Sequence, residues 1–233
     1  WAKSEATSKI GLFKKDIKDG NFDVVLTNPP FSGKITGKEQ LSIYELYELQ
    51  QSGKLTDDEE ESEEGEETNK RGTKRKVNSM KRDILFIERC LRFLKPGGRM
   101  AIVLPQGNLN NIGTKALREW IMSKARILAV VGLGVNTFKP FTGTKTSVVF
   151  LQKWGGLAGK IIEDYPIFMA TSERSGKNSS GDYVLLTDKE GHLIDKQGKI
   201  IDSLKEKPIV DNDLDAISET FKKFCDKEGI KLH

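Results

Sequence analysis

The chain contains 233 residues, of which 36% are hydrophobic and 31% are charged, and its formal net charge at pH 7 is +4. This length suits one large domain or two small ones of about 100–200 residues each, and no apolar run approaches the roughly 18 residues that a membrane span requires. Two cysteines and two histidines are present. These counts exclude a disulfide framework, indicate a reducing compartment and predict no metal site.

The first part of the chain predicts a strand, a helix and a long charged segment. Residues 22–26 (FDVVL) form a short apolar run after turn residues, which is typical of a buried strand. Residues 40–50 place apolar side chains at helical spacing. Nine of the 34 acidic residues lie within 57–67, and a basic cluster follows them. Because such a segment has no apolar face to bury, we predict a disordered insertion over residues 53–82. The rest of the chain then carries 25 acidic residues against 38 basic ones, which fits either a polyanionic partner or a lysine-rich surface.

The second part alternates helices with strands. Asp83 is a candidate N-cap for a helix whose apolar residues recur every three or four positions, and the turn residues 95–98 end this helix. A second helix starts at Thr114, and apolar runs predict further strands over 100–104, 127–133 and 147–151. Strands that alternate with helices predict an α/β fold. We therefore expect a partial α/β domain over 1–154 and a C-terminal extension over 155–233, with a hairpin at 182–195 and a final helix.

Four residues with distinctive chemistry follow the first predicted strand: Asn28, Pro29, Pro30 and Phe31. Open α/β sheets bind ligands beyond the carboxyl ends of their strands. The two prolines have a fixed φ and no N–H, so they form a stiff segment with outward carbonyls. Asn28 adds a side-chain oxygen and Phe31 adds an aromatic face, a set that suits a planar ring with an exocyclic amine. The alternative interpretation is a proline-stabilised turn with Phe31 in the core.

Longer stretches of the sequence resemble a known family. The segment FDVVLTNPPF resembles motif IV of the amino-group methyltransferases that use S-adenosylmethionine. DILFIERCLRFLKPGGRMAIVLPQG and ALREWIMSKARILAVVGLGVNTFKPFTGTKTSVVFLQK resemble consecutive segments of the modification subunits of type I restriction systems and of related N6-adenine DNA methylases. YPIFMATSERSGKNSSGDY and DNDLDAISETF resemble the C-terminal extension of the same family. The resemblance covers nearly the whole chain except 53–82.

This resemblance implies a Rossmann-like sheet, of which the chain supplies the last four of seven strands, and methylation of adenine N6 in double-stranded DNA with S-adenosyl-L-methionine as the methyl donor. It also implies a bacterial or archaeal cytoplasmic protein, with a DNA-specificity subunit and a restriction subunit as candidate partners. The family's cofactor motif, a Gly-x-Gly turn after the first strand, does not appear before Asn28. The cofactor-binding residues are therefore not identified, and we expect this chain to be a portion of a larger enzyme that is inactive alone.

The resemblance also implies roles for the residues after the first strand. The side-chain oxygen of Asn28 and the carbonyl of Pro29 would accept the two amino hydrogens of the target adenine. Pro30 belongs to the same rigid segment, and Phe31 would stack on the flipped base.

The family places a further aromatic residue in the loop between its last two strands. Phe138 and Phe141 are the candidates in this sequence. Lys139 and Lys145, in the same loop, are candidates for contacts with DNA phosphates. Each of these four residues also has an ordinary structural interpretation, in the core for the aromatics and on a solvated surface for the lysines.

Two other functions stay open on the sequence alone. A different Asn-Pro-Pro methyltransferase would modify a protein glutamine or the N2 of guanine in RNA, but the glutamine enzymes usually have tyrosine in place of Phe31, and neither group usually has an FMATSE-like extension. The second alternative is a non-catalytic DNA-binding or assembly module derived from such an enzyme. A glycine-rich cofactor motif in the parent reading frame would favour the enzyme.

Overall fold

The computed structural model describes residues 17–56, 79–156 and 159–231. Its strands are β1 (Phe22–Thr27), β2 (Lys34–Thr36), β3 (Ser79–Lys81), β4 (Leu94–Pro105), β5 (Ala125–Gly132), β6 (Thr146–Lys153) and β7 (Phe168–Thr171). Its helices are α1 (Lys38–Leu41), α2 (Glu45–Gln51), α3 (Arg82–Phe93), α4 (Gly107–Asn110), α5 (Lys115–Lys124) and α6 (Leu214–Lys227). None of the helices among the described residues is long and apolar enough to cross a membrane.

Five strands form one sheet in the order β1-β4-β6-β5-β7. β1 runs parallel to β4, with Thr27 opposite Ile102, and β5 runs parallel to β7, with Ala129 opposite Phe168. Parallel neighbours need a crossover connection, and α3 lies in the connection from β1 to β4. The expected α/β fold is confirmed, and β7, which the sequence analysis assigned to the extension, belongs to the same sheet.

The chain forms two compact units, and the first contains the residues up to Leu128 together with Val149–Tyr165. Its core follows from two periodicities. Alternate residues of β4 are buried because successive side chains of a strand point to opposite faces, and α3 buries the apolar stripe that its sequence predicts. The buried residues of these elements include Met100, Ile102, Leu104, Ile84, Ile87 and Leu91. The predicted stripe is therefore confirmed.

The predicted insertion over 53–82 is too wide at both ends. Leu55 and Met80 are buried. Met80 lies in β3, which pairs antiparallel with β2 and places Met80 opposite Ile35. Leu55 stands alone in a polar stretch, and Met80 has the helical spacing of four residues from Ile84, so neither residue shows the alternation of a strand. The interior of the predicted insertion, 57–78, lies outside the described residues.

The single helix that the sequence predicts over 40–50 is divided into α1 and α2. The carboxylate of Glu88 accepts hydrogen bonds from the backbone N–H groups of Glu45 (3.0 Å) and Leu46 (2.9 Å), at the start of α2. Glu88 is fully buried and forms a salt bridge with Arg92, in which Arg92 Nη2 lies 2.5 Å from Glu88 Oε1. A negative charge at a helix N-terminus satisfies N–H groups that have no partner within the helix. This tertiary contact explains why a new helix begins at Glu45.

The second unit consists of Ala129–Val148 and the residues from Pro166 onward. Phe168 of β7 packs against two rings of α6, Phe221 and Phe224, with centroid distances of 5.3 and 5.6 Å. The chain between β7 and α6 contains turns and single bridges, one of which joins Thr187 to Leu193 inside the predicted hairpin. The predicted boundary between the α/β domain and the extension, at residues 154 and 155, therefore does not coincide with the boundary between the two units. The second half of β5 pairs with β7 and belongs to the same unit as the extension.

Candidate functional site

The segment Asn28–Phe31 begins where β1 ends. Because β1 and β4 are parallel, their carboxyl ends lie at the same edge of the sheet, which is where open α/β sheets bind ligands. Pro29 is buried, Asn28 and Pro30 are exposed, and Phe31 is half-buried. The buried proline anchors the segment, while the Asn28 side chain stays accessible to a ligand.

A tight turn at Gly33 follows this segment. Gly33 has a φ of +91°, a conformation that glycine adopts without strain. Its carbonyl accepts a hydrogen bond from the backbone N–H of Arg82 (3.1 Å). A Cβ atom at position 33 would lie 3.2 Å from Cζ of the Arg82 guanidinium. The start of α3 is therefore tied to the chain two residues beyond Phe31.

A buried polar pair links α3 with the chain beyond β4. Asp83 and Asn108 are 3% and 5% exposed. Asn108 Nδ2 donates to Asp83 Oδ2 (2.8 Å), and the backbone N–H of Ile84 donates to Asp83 Oδ1 (3.0 Å). Burial raises the pKa of Asp83, and the hydrogen bond from Asn108 acts in the opposite direction. Both oxygens of the carboxyl group thus have a partner, which a buried polar group needs.

The sequence analysis missed this pair. The sequence predicts Asp83 as an N-cap, whereas α3 begins at Arg82 with Lys81 in the N-cap position and no capping side-chain hydrogen bond. Asp83 is instead a buried residue of the first turn. The signal that could have identified Asn108 is its position three residues past β4, at the same sheet edge as Asn28.

The other predicted site residues lie in the second unit, in the loop between β5 and β6. A hydrogen bond from Leu133 N to Thr146 O (2.9 Å) closes the base of this loop. Phe141 is 92% exposed and Lys145 is exposed, whereas Phe138 and Lys139 are half-buried. The structure thus presents one aromatic ring and one ammonium group of the predicted set to solvent.

Three glycines, each from a different Gly-Gly or Gly-x-Gly pair of the described residues, lie close to other parts of the chain. A Cβ at Gly98 would lie 3.1 Å from the carbonyl oxygens of Phe22 and Asp23, and a Cβ at Gly134 would lie 3.0 Å from Cβ of Ser175. Gly156 packs closely against the carbonyl of Pro96. These three glycines therefore allow close packing of the chain on itself.

Three residues with metal-ligating atoms lie together in the second unit, where the sequence predicts no metal site. The ligand atoms of Asp188, Glu190 and His192 lie within 4.8 Å of one another. Asp188 Oδ1 accepts the backbone N–H groups of Glu190 (3.0 Å) and His192 (2.9 Å). Hydrogen bonds hold the pKa of Asp188 below its usual value, and the bond from the backbone N–H of His192 has the largest effect. An Asx turn accounts for this arrangement.

Comparison with known proteins assigns the chain to a family. A family model described as N-6 DNA Methylase matches residues 4–231. The methylase subunit of the type I restriction enzyme EcoEI from Escherichia coli is 26% identical over 136 residues, which make up 58% of this chain and 22% of that protein. The chain therefore spans less than a quarter of the length of this curated relative.

Two solved structures are also similar. The methyltransferase subunit of a type I restriction-modification system from Streptococcus thermophilus has a TM-score of 0.48 and 20% identity, over 88% of this chain and 32% of that chain. The M protein of the type I restriction enzyme EcoKI has a TM-score of 0.38 and 22% identity, over 63% of this chain and 23% of that chain.

Proposed function

The chain belongs to the N-6 DNA methylase family, and we propose that it supplies the target-base residues of an adenine-N6 DNA methyltransferase in a type I restriction-modification system. The observation that carries this proposal is the position of Asn28–Phe31 directly beyond the carboxyl end of β1. The similarity to a methylase subunit of a type I enzyme supports the assignment to this kind of system.

The proposed chemistry depends on two hydrogen-bond acceptors. Adenine N6 is a poor nucleophile because its lone pair is delocalised into the ring. Asn28 Oδ1 accepts one amino hydrogen and the carbonyl oxygen of Pro29 accepts the other. These bonds raise the electron density on N6 and favour a pyramidal nitrogen, so the reaction needs positioning and electrostatic stabilisation more than a strong base. Pro30 keeps the two acceptors in a fixed relation.

Aromatic and basic residues complete the proposal. Phe31 stacks on the target base after the base has left the duplex. Phe138 or Phe141 offers a second aromatic face to the DNA bases, and Lys139 and Lys145 bind phosphates. The exposure of Phe141 and Lys145 supports their availability to DNA.

S-adenosyl-L-methionine is the methyl donor that the family implies, and when bound it supplies an electrophilic methyl group on a sulfonium. Because the three glycines described above are packed against protein atoms, we assign no residue of this chain to its binding. We propose that the isolated 233-residue chain neither binds this cofactor tightly nor methylates DNA. Calorimetric titration of the isolated chain checks this, and low-micromolar affinity would contradict it.

The proposed partners are double-stranded DNA, a DNA-specificity subunit and a restriction subunit, in the cytoplasm of a bacterium or archaeon. The curated relative is named as one subunit of a type I enzyme, which supports a multi-subunit assembly. The excess of basic residues outside 57–67 supports a DNA partner, because neutralisation of phosphates dominates affinity for nucleic acids.

The test of the proposed function is Asn28→Ala in the complete methyltransferase that contains this chain. Loss of one aligned polar group at a reacting centre typically costs about 2.7–4 kcal/mol, or roughly 10²–10³ in rate. We expect single-turnover methylation of adenine to fall by about that factor, while DNA affinity changes little. Phe31→Ala should in addition weaken capture of the base.

The matched control is Asn21→Ala, which makes the same chemical change at the other end of β1. We expect this variant to methylate DNA at the parental rate. If Asn28→Ala methylates within a few-fold of the parent, Asn28–Phe31 is a structural turn and the proposed site is wrong.

A further inference from the structure

Two loops of the second unit contact each other directly. The first, residues 134–145 between β5 and β6, carries Phe138 and Phe141, and we call it the aromatic loop. The second, residues 175–183 of the extension, we call the buttress loop. Lys177 Nζ donates a hydrogen bond to the carbonyl oxygen of Lys139 (2.8 Å), and Asn136 Nδ2 donates to the carbonyl oxygen of Lys177 (3.4 Å).

A glycine of the buttress loop makes the closest approach. Gly181 has a φ of +99°, and a Cβ at this position would lie 2.6 Å from the nitrogen of Pro140 and 2.8 Å from the carbonyl carbon of Lys139. These are backbone atoms, which cannot rotate away as the end of a flexible side chain can. Any side chain at position 181 must therefore displace the backbone of the aromatic loop or of the buttress loop.

The buttress loop has extensive hydrogen bonding of its own. Asn178 Oδ1 accepts three backbone N–H groups, from Ser180 (3.0 Å), Gly181 (2.9 Å) and Asp182 (2.9 Å). An antiparallel bridge joins Lys177 to Tyr183. A single asparagine that satisfies three consecutive N–H groups fixes the local backbone, so this loop can transmit a constraint to whatever it touches.

The hydrogen bonds within the aromatic loop are local. Its backbone hydrogen bonds are short-range turns, such as Lys139 N to Asn136 O (3.0 Å) and Phe141 N to Phe138 O (3.0 Å). Phe141 is 92% exposed, so burial of its ring does not fix the loop. Turns set the local shape of a loop, whereas its placement depends on contacts with other segments.

We propose that the buttress loop positions the aromatic loop for stacking on a DNA base, with Lys177 and Gly181 as positioning residues. The inference rests on the proposed function, in which Phe138 or Phe141 offers an aromatic face to the bases. It adds that the C-terminal extension takes part in base capture, although neither positioning residue contacts the base.

The main test compares two glycine substitutions in the complete methyltransferase that contains the 233-residue chain. Gly181→Ala introduces a Cβ against Lys139 and Pro140. Gly191→Ala is the matched control, because Gly191 has a similar φ of +89° and no atom lies within 4 Å of a Cβ at that position. Both variants strain a left-handed residue, and Gly181→Ala alone adds a clash with the aromatic loop.

Two readouts are measured on each variant. The first is hydrogen exchange of the amides of Lys139, Phe141 and Thr142, which donate to carbonyls of the same loop. The second is the ratio of affinities for a DNA duplex with an unpaired adenine and for the same duplex with an abasic position, a ratio that isolates base contacts from phosphate contacts. We expect Gly181→Ala to lose amide protection and to reduce this ratio by about tenfold, within the range for one base–aromatic stack. Gly191→Ala should change neither readout.

Lys177 provides a second test that does not depend on a backbone clash. Lys177→Met keeps the length of the side chain but removes the donor to Lys139 O, so protection and affinity ratio should both fall, by less than in Gly181→Ala. Lys177→Arg keeps a donor and should restore both. If Gly181→Ala unfolds the protein, this pair decides the question.

The outcomes separate the inference from the proposed function. If the parent enzyme does not prefer the unpaired adenine, the base-binding part of the proposed function is wrong. If the parent shows the preference and Gly181→Ala or Lys177→Met keeps both protection and preference, only the inference is wrong. Loss of both readouts in these variants, with both kept in Gly191→Ala and Lys177→Arg, supports it.

Discussion

Asn28–Phe31 lies in the first unit and the aromatic loop in the second, and different parts of the sequence fix these two segments. Asn28–Phe31 continues directly from β1, so the pairing of β1 with β4 determines where it starts. The aromatic loop is contacted by Lys177, which follows its bonded partners Lys139 and Asn136 by 38 and 41 residues.

This difference separates local from non-local specification. A strand followed by Asn-Pro-Pro carries its geometry in consecutive residues, because each proline restricts its own φ and the residue before it. The aromatic loop carries only turn signals, and its support comes from glycine and lysine residues whose role is visible only once the chain has folded. A substitution in the extension can therefore alter the aromatic loop, whereas the geometry of Asn28–Phe31 should respond mainly to changes at the sheet edge.

The largest effect on stability should come from the buried pair of Asp83 and Asn108. Asn108→Ala removes the side-chain donor to the buried Asp83, 25 residues away. A buried group without its partner costs about 1–3 kcal/mol, so the free energy of unfolding should fall by that amount in a denaturant titration. The control is Asn110→Ala, an exposed position in the same short helix, which should change stability little.

Asn108→Ala also tests whether Asn28–Phe31 depends less on distant contacts than the aromatic loop does. Preference for an unpaired adenine should survive in Asn108→Ala, because the pairing of β1 with β4 is untouched. Loss of that preference in a protein that is still folded would show that Asn28–Phe31 depends on distant contacts as much as the aromatic loop does.

A smaller effect should follow from the charge of Asp83. Burial raises its pKa in the folded protein above the ordinary value of 3.8. Between pH 3.8 and the raised pKa the unfolded chain binds fewer protons than the folded one, so stability falls as pH rises through this window. Asp83→Asn removes the ionisation, and a 180° turn of the Asn108 amide lets its oxygen accept from the new N–H₂ group. The free energy of unfolding at pH 7 should therefore rise by on the order of 1 kcal/mol.

The pH profile decides this prediction. The advantage of Asp83→Asn over the parent should shrink as the pH falls through this window and level off below pH 3.8, where the carboxyl group becomes protonated in both states. Denaturant titrations at several pH values measure the difference. An advantage that does not change with pH would mean that ionisation of Asp83 is not its cause. A variant that is less stable than the parent at pH 7 would mean that the carboxylate is stabilising as an anion.

The elements that could be predicted are those whose signal lies in consecutive residues. The FDVVL strand is visible as a local apolar run and the stripe of α3 as a local periodicity. The expectation that this strand is buried was wrong, because Val24 and Leu26 are 59% and 76% exposed. Met80 could not be predicted as a strand residue, because its spacing of four residues from Ile84 indicates a helix, whereas the structure pairs it with Ile35 of β2. Likewise, the division into α1 and α2 depends on Glu88, a residue 43 positions from Glu45.

Site residues follow the same rule. Asn28 could be named because its position after a strand and before two prolines is a local feature. Asp83 could be noticed as polar and near a helix start, but its burial depends on Asn108, so the sequence suggested a cap where the structure has a buried pair. Gly181 is one glycine in a Ser/Gly/Asn-rich loop, and nothing local distinguishes it from Gly191.

The smallest effect should come from Lys145, which is exposed in the second unit and is proposed to contact phosphate. Loss of one phosphate contact should reduce the slope of log affinity against log salt by about 0.9, with stability within about 0.5 kcal/mol of the parent. Lys145→Gln measured by DNA titration at several salt concentrations tests this, with Lys189→Gln, at an exposed turn of the same unit, as control. Binding of a phosphate depends on charge and needs less accurate placement than stacking on a base.

The ratio of affinities for the unpaired adenine and the abasic position should therefore stay at the parental value in Lys145→Gln, whereas it falls in Gly181→Ala. A fall of this ratio in Lys145→Gln would mean that Lys145 helps to position the aromatic residues, and that the aromatic loop takes part of its geometry from its own sequence.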